Sequence, residues 1–398
     1  MIQRATTILL AICVAFLASE ATAQTTVYYQ PTPYPSAVTN GIHILDGWLP
    51  SVYYGQTFQK DDKLQIGGWG DNYRTYIQFD LDGLPASVSS AELDLYAYPR
   101  GDSSTLVNFD AWSPNSAWAS NLATSMTWNT QPASFSLVGS YATSSVNSFW
   151  GIGMTSLYNS WKGGSRPNNG LALMSWTQNN NFDVWRSSRT TDETQRPKLR
   201  FVFTPPVTVP NFKIPLPRNI KWLVTTEVGG WDCAGSAQDS AHAGANYFSV
   251  DFSWKNKDSS GAQVYDSPNS GTLIPITPAG DGQVAEVGTN PTSPNGYYVV
   301  VSHDPGHNVN TGFSTRYLHM KNLPSVVVNQ AVAQGSTILG YMGDTGSSTG
   351  PHLHFGMRYN NDGASTTNVM YAVVSGWLMK NFQTECTGGI PSRYYMSN

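Results

Sequence analysis

Charge is what this 398-residue chain has least of. Lys, Arg, Asp and Glu make up 12% of it, against about 25% in an average soluble domain. The 22 basic and 26 acidic residues leave a net charge of −4. No basic stripe is present, which excludes nucleic acid as a partner. Long apolar runs are missing as well. The stretch from Ile8 to Leu17 is too short to span a bilayer, and no later segment is longer, so no membrane span is expected. Cysteine is limited to Cys13, Cys233 and Cys386, and histidine to seven positions. No His-Glu-x-x-His motif occurs, no Ser-His-Asp arrangement is indicated, and no phosphate-cradling glycine loop opens a helix.

What is present begins with an export signal. Arg4, the apolar run to Leu17 and Ala21-Thr22-Ala23 form a secretory leader over residues 1–23 with cleavage after Ala23. A secreted or periplasmic location follows. Loss of Cys13 with the leader leaves Cys233 and Cys386, for which a disulfide is the favoured reading in an oxidising compartment. The alternative is two buried thiols. From 24 to 204, short alternating runs such as Thr75-Tyr76-Ile77-Gln78-Phe79 and Glu92-Leu93-Asp94-Leu95-Tyr96 are split by turn residues. They predict an antiparallel, jelly-roll-like sandwich with one helix from Met154 to Trp161. Pro205, Pro206, Pro210, Pro215 and Pro217 then set a stiff boundary, placed at 205–212. A second all-β domain is expected over 213–398.

Six of the seven histidines fall in this second part. In Gly350-Pro351-His352-Leu353-His354-Phe355-Gly356-Met357, strand alternation puts His352 and His354 on one face and Leu353, Phe355 and Met357 on the other. In Tyr247 to Trp254, Phe248, Val250, Phe252 and Trp254 face a core, while Asp251 shares the polar face with Ser249 and Ser253. In Arg316-Tyr317-Leu318-His319-Met320, alternation places Tyr317 and His319 together. Three strands that each offer an ionisable group could line one groove, and zinc favours such imidazole and carboxylate ligands. On the bland reading these are surface histidines on amphipathic strands. His303 and His307 are read as structural and solvated, and His43 as a surface residue of the sandwich.

The run from Gly340 to Phe355 resembles the signature of the lysostaphin-type (LytM-like) zinc metallopeptidases. The upstream pieces His242…Asp251, Gly282-Gln283-Val284, Asn295 to His303 and Tyr317-Leu318-His319 fall in that family's order. The eight residues between His242 and Asp251 match its β-lytic, staphylolysin-like branch. The resemblance implies one zinc per chain held by His242, Asp251 and His354. It makes His319 and His352 the unligated catalytic pair and places Tyr317 near the substrate. The implied substrate is peptidoglycan, at a stem peptide or cross-bridge. A glycine-rich protein such as elastin is the alternative, and a non-catalytic wall-binding protein a further one.

The first half resembles the DNRLRE-type β-sandwich modules found beside bacterial extracellular enzymes. The resembling pieces are Asp71-Asn72-Tyr73-Arg74, Ser90 to Tyr96, Thr127 to Pro132, Asn169 to Leu173 and Arg196 to Leu199. Related modules include carbohydrate-binding ones, and nine of the thirteen tryptophans lie here. Tryptophans in a sandwich more often fill the core, and none is singled out as a sugar contact.

Overall fold

The computed structural model describes residues 24–31, 44–52, 59, 61–68, 70–98, 107–118, 126–142, 145–175, 181–204, 210–233, 239–304 and 306–363, with 373–374, 377–378, 383, 386–387, 390–391 and 393–397 of the tail. The expected leader, His43 and residues 205–209 of the proline-rich boundary lie outside these.

Among its described residues the first half is antiparallel β with one α-helix. Its strands are β1 Thr25–Tyr29, β2 Ile44–Pro50, β3 Lys63–Gly68, β4 Tyr73–Phe79, β5 Ser90–Ala97, β6 Asn108–Pro114, β7 Phe135–Ala142, β8 Ser148–Gly153, β9 Leu171–Met174, β10 Asn181–Arg186 and β11 Lys198–Phe203, with α1 at Thr155–Lys162. They pair in the order β1-β11-β5-β10-β3-β4-β9-β6-β7, with β2 added on β4 and β8 on β5. The alternation read in β4 and β5 holds: Ile77, Phe79, Leu93 and Leu95 are buried in one apolar cluster with Trp161 and Trp185.

The second half contains β12 Lys221–Thr226, β13 Ser249–Lys257, β14 Pro275–Ile276, β15 Gly282–Gly288, β16 Tyr297–Ser302, β17 Phe313–Met320, β18 Ala331–Val332, β19 Gly340–Tyr341 and β20 His352–Tyr359. Tail strands β21 Val373–Val374, β22 Trp377–Leu378, β23 Cys386–Thr387, β24 Ile390–Pro391 and β25 Tyr394–Met396 follow. The main sheet has the order β18-β15-β16-β17-β20-β13-β12-β25. Phe248, Val250, Phe252, Leu353, Phe355 and Met357 cover one face and are almost wholly buried. Removing any such side chain from water contributes about 1.5–3 kcal/mol. The opposite face is free to carry polar groups.

One polar chain crosses the apolar side. The Ala279 amide donates to Tyr317 Oη at 2.7 Å, and that hydroxyl meets Thr315 Oγ1 at 2.7 Å. Thr315 Oγ1 reaches His303 Nε2 at 2.8 Å, and His303 Nδ1 reaches the Asp281 carbonyl at 2.8 Å. All donors run one way if His303 carries its proton on Nδ1, so every buried group is satisfied.

The glycines before His352 serve packing more than exposure. A Cβ on Gly343 would lie 2.4 Å from the Lys321 backbone, and one on Gly346 (φ 80) would lie 2.4 Å from the Gly296 nitrogen. Only glycine allows the 343–350 loop to seat there.

The two halves touch. Gly83, in the turn after β4, lies against the rings of Tyr247 and Phe248. Gln383 Nε2 donates to Tyr29 Oη at 3.2 Å, and Arg393 Nη2 to the Gln30 carbonyl at 3.3 Å.

Candidate metal centre

The register of three neighbouring strands assembles the site. Asp251 of β13 pairs with His354 of β20, and Ser253 with His352. Directly paired residues share a face, so Asp251, His354, Ser253 and His352 all stand on the polar side. His242 comes from a short 3₁₀ turn, Ser240–His242, capped by Asp239 accepting from the Ala241 amide at 2.9 Å. His242 Nε2 lies 3.1 Å from Asp251 Oδ2, and His354 Nδ1 lies 3.0 Å from Asp251 Oδ1. One ligand atom from each of these three buried residues falls within 4.8 Å of the others.

His319 joins them by a backbone device. On β17, Tyr317 pairs with Phe355 and Leu318 with His354, so Leu318 occupies the polar side and simple alternation would turn His319 into the core. His319 instead adopts φ 63, where the β16–β17 register also shifts between Tyr297 and Val299. This left-handed residue swings the imidazole back, and its ring centroid lies 4.8 Å from that of His352 and 6.0 Å from that of His354. The expectation that Tyr317 and His319 share a face is therefore corrected. Tyr317 is fully buried on the core side with its hydroxyl engaged by Ala279 and Thr315, and it does not reach the groove.

Hydrogen bonds fix which ring nitrogens face the centre. His242 Nδ1 is 3.0 Å from the Ser249 carbonyl, His319 Nδ1 is 2.8 Å from the Thr345 carbonyl, and His352 Nδ1 is 2.8 Å from the Gly350 carbonyl. A carbonyl only accepts, so each Nδ1 carries hydrogen and each Nε2 is presented inward. Burial alone would raise the Asp251 carboxyl, but His242 and His352 outweigh it and hold it well below the usual carboxylate range. Burial alone would lower His242, yet Asp251 pulls it upward overall. Burial lowers His354. Burial and then repulsion from His352 push His319 down to about 4.

These residues fit a divalent metal. Asp251 Oδ1 is buried, and the approach of His354 at 3.0 Å is not oriented as a hydrogen bond. A buried anion with an unused lone pair, facing two imidazole nitrogens, is the donor set zinc takes.

A histidine and a carboxylate on an antiparallel sheet, a second histidine from the turn beside it and two more imidazoles alongside define a candidate mononuclear metal centre of hydrolase type. The family comparison makes this specific: residues 261–366 match the model of Peptidase family M23, so the chain carries an M23 peptidase domain. His319, His352 and His354 lie inside that span, and His242 and Asp251 precede it. Residues 42–202 match Carbohydrate-binding module family 96, which corrects the DNRLRE resemblance. Peptidoglycan DD-endopeptidases ShyC and ShyA of Vibrio cholerae serotype O1 are 42% and 41% identical over 86 and 95 residues, each covering 22% of this chain. The chain spans only 18% and 20% of those relatives' lengths. Among solved structures, the EnpA catalytic domain from Enterococcus faecalis gives a TM-score of 0.26 at 20% identity, covering 40% of this chain and 95% of that one. The lysostaphin catalytic domain from Staphylococcus simulans gives 0.23 at 19%, covering 38% and 86%.

Proposed function

We propose that this protein is an exported zinc endopeptidase that hydrolyses peptide bonds of peptidoglycan. The observation that carries it is the convergence of His242, Asp251 and His354 within 4.8 Å, flanked by His319 and His352. His242, Asp251 and His354 would hold the metal. Zinc, when bound, supplies a Lewis acid that activates water and polarises a carbonyl. His319 and His352 offer inward Nε2 atoms that can take a proton from an attacking water and return it to the leaving amine. Such acid–base help is worth about 10²–10⁴-fold in rate. The Tyr317 hydroxyl, tied into the core, has no part in stabilising an oxyanion. The match to a carbohydrate-binding family supports a polysaccharide contact through the first half, and the boundary between the two units is proposed at 205–212.

Two measurements test this reading. Metal analysis of Asp251→Ala and His354→Ala should show loss of zinc, and full occupancy in both would refute the ligand set. Incubation of the wild type with purified sacculi and with elastin should release muropeptide fragments from the first. Release from elastin alone would move the substrate to glycine-rich proteins. Release from neither would favour a non-catalytic wall-binding role.

A further inference from the structure

His319 keeps its left-handed backbone because its neighbours over-determine it, as a strained residue requires. Its amide donates to the Asn295 carbonyl at 3.1 Å, and its Nδ1 donates to the Thr345 carbonyl at 2.8 Å. Thr345 does more than offer that carbonyl. Its hydroxyl donates to the carbonyl of Met320, the residue after His319, at 2.7 Å. The same oxygen accepts from the Tyr297 amide at 3.0 Å. Tyr297 and Met320 stand opposite each other at the end of the β16–β17 pairing, so one side chain bridges both strands beside the register shift. The fit is close. A Cβ on Gly296 (φ 61) would lie 2.3 Å from Thr345 Oγ1 and 2.4 Å from the Thr345 carbonyl oxygen, so only glycine lets the two segments meet.

Resting on the peptidase reading above, in which His319 moves a proton, we propose that Thr345 is the positioning residue for His319. The hydroxyl fastens the 343–350 loop to both strands. The carbonyl of the same residue keeps hydrogen on Nδ1 and leaves the Nε2 lone pair toward the polar face. When Nε2 takes a proton from water and passes it to the leaving amine, the Nδ1–H bond to Thr345 stays in place. The ring then needs no turn between the two transfers. A side chain seated between an amide and a carbonyl must both accept and donate, which a hydroxyl does. Valine has the shape of threonine and neither function, whereas serine keeps the hydroxyl and lacks the methyl group.

The test uses the full chain with isotope-labelled histidine, in which long-range proton–nitrogen correlations report the hydrogen-bearing ring nitrogen. His319→Ala identifies the His319 signals. Wild type and Thr345→Ser should show His319 with hydrogen on Nδ1 alone, and Thr345→Val should show a mixture of the two ring forms. The kcat of Thr345→Val on sacculi should fall about 10–100-fold, the range for loss of a group that orients an imidazole. Its KM and zinc content should stay near wild type, and Thr345→Ser should recover the activity. A wild-type His319 carrying hydrogen on Nε2 would overturn the proposal. So would a Thr345→Val protein that keeps the Nδ1 form or wild-type kcat, and so would an equal loss in Thr345→Ser, which would trace the effect to the methyl group. If wild type releases no fragments, the peptidase reading falls, and the ring forms still decide the positioning. If Thr345→Val does not fold, the ring form in wild type and Thr345→Ser decides.

Discussion

His319 is one of only two residues other than asparagine and glycine with positive φ among the described residues; the other is His307. A side chain held in that region costs about 1–3 kcal/mol, and here the strain turns an imidazole from the core toward the candidate ligands Asp251 and His354. Replacing His319 or His352 by Ala should leave zinc content and melting temperature near wild type while hydrolysis falls by about 10²-fold or more. Wild-type turnover in both variants would remove the catalytic pair. Tyr317→Phe should behave in the opposite way. It removes a hydroxyl bonded to Ala279 and Thr315, at a cost of about 1–3 kcal/mol, so the melting temperature should drop while kcat stays close to wild type. The difference was not legible in the sequence. Alternation correctly paired His352 with His354 and Asp251 with Ser253, because β13 and β20 run without interruption through those positions. It failed between Tyr317 and His319 because a left-handed residue that is neither Gly nor Asn leaves no trace in composition.

At the scale of elements, the hydrogen-bonded chain from Ala279 through Tyr317, Thr315 and His303 to Asp281 ties β16, β17 and the turn before β15 together. Its polarity requires a neutral His303, and burial pushes that imidazole down to about 4. An unfolded histidine titrates near 6.5. Between these values the unfolded chain binds the extra proton, so stability is full above about 6.5 and declines as pH falls toward 4. Protonation would also make both ring nitrogens donors and reverse the Thr315 hydroxyl, breaking its bond to Tyr317 or to the ring. His303→Gln should therefore melt below wild type at pH 7, and the gap between the two should narrow at pH 4.5. A gap independent of pH would mean that His303 does not titrate on unfolding. His303 was read from the sequence as structural, and its partners on two elements show why: a histidine just past a valine-rich strand lands beside the core, not on the groove.

At the scale of the whole molecule, the all-β character of both parts could be read from turn spacing. The apposition of the parts could not, since it depends on single contacts such as Gly83 with Tyr247 and Phe248. Cys233 is buried beside the face that carries Asp251 and His352 and is disulfide-bonded, while the Cys386 side chain lies outside the described residues. The proposed Cys233–Cys386 link should appear as one cross-linked peptide in a non-reducing digest. Reduction should lower the melting temperature, since closing so long a loop contributes on the order of 4–5 kcal/mol in the chain-entropy model. Recovery of both cysteines as free thiols would end the assignment.

The strand β25 completes the sheet beside β12, with Tyr394 against Leu223. The residues that lead to it bond to the start of the chain across 354 and 363 positions. Contacts so distant in sequence form late, after the loops between them have closed. The sheet that carries Asp251 and His354 is therefore completed only once β25 has folded back onto β12. As the chain folds, this sheet passes through a stage in which Asp251 and His354 are paired but the edge beside β12 is not yet in place.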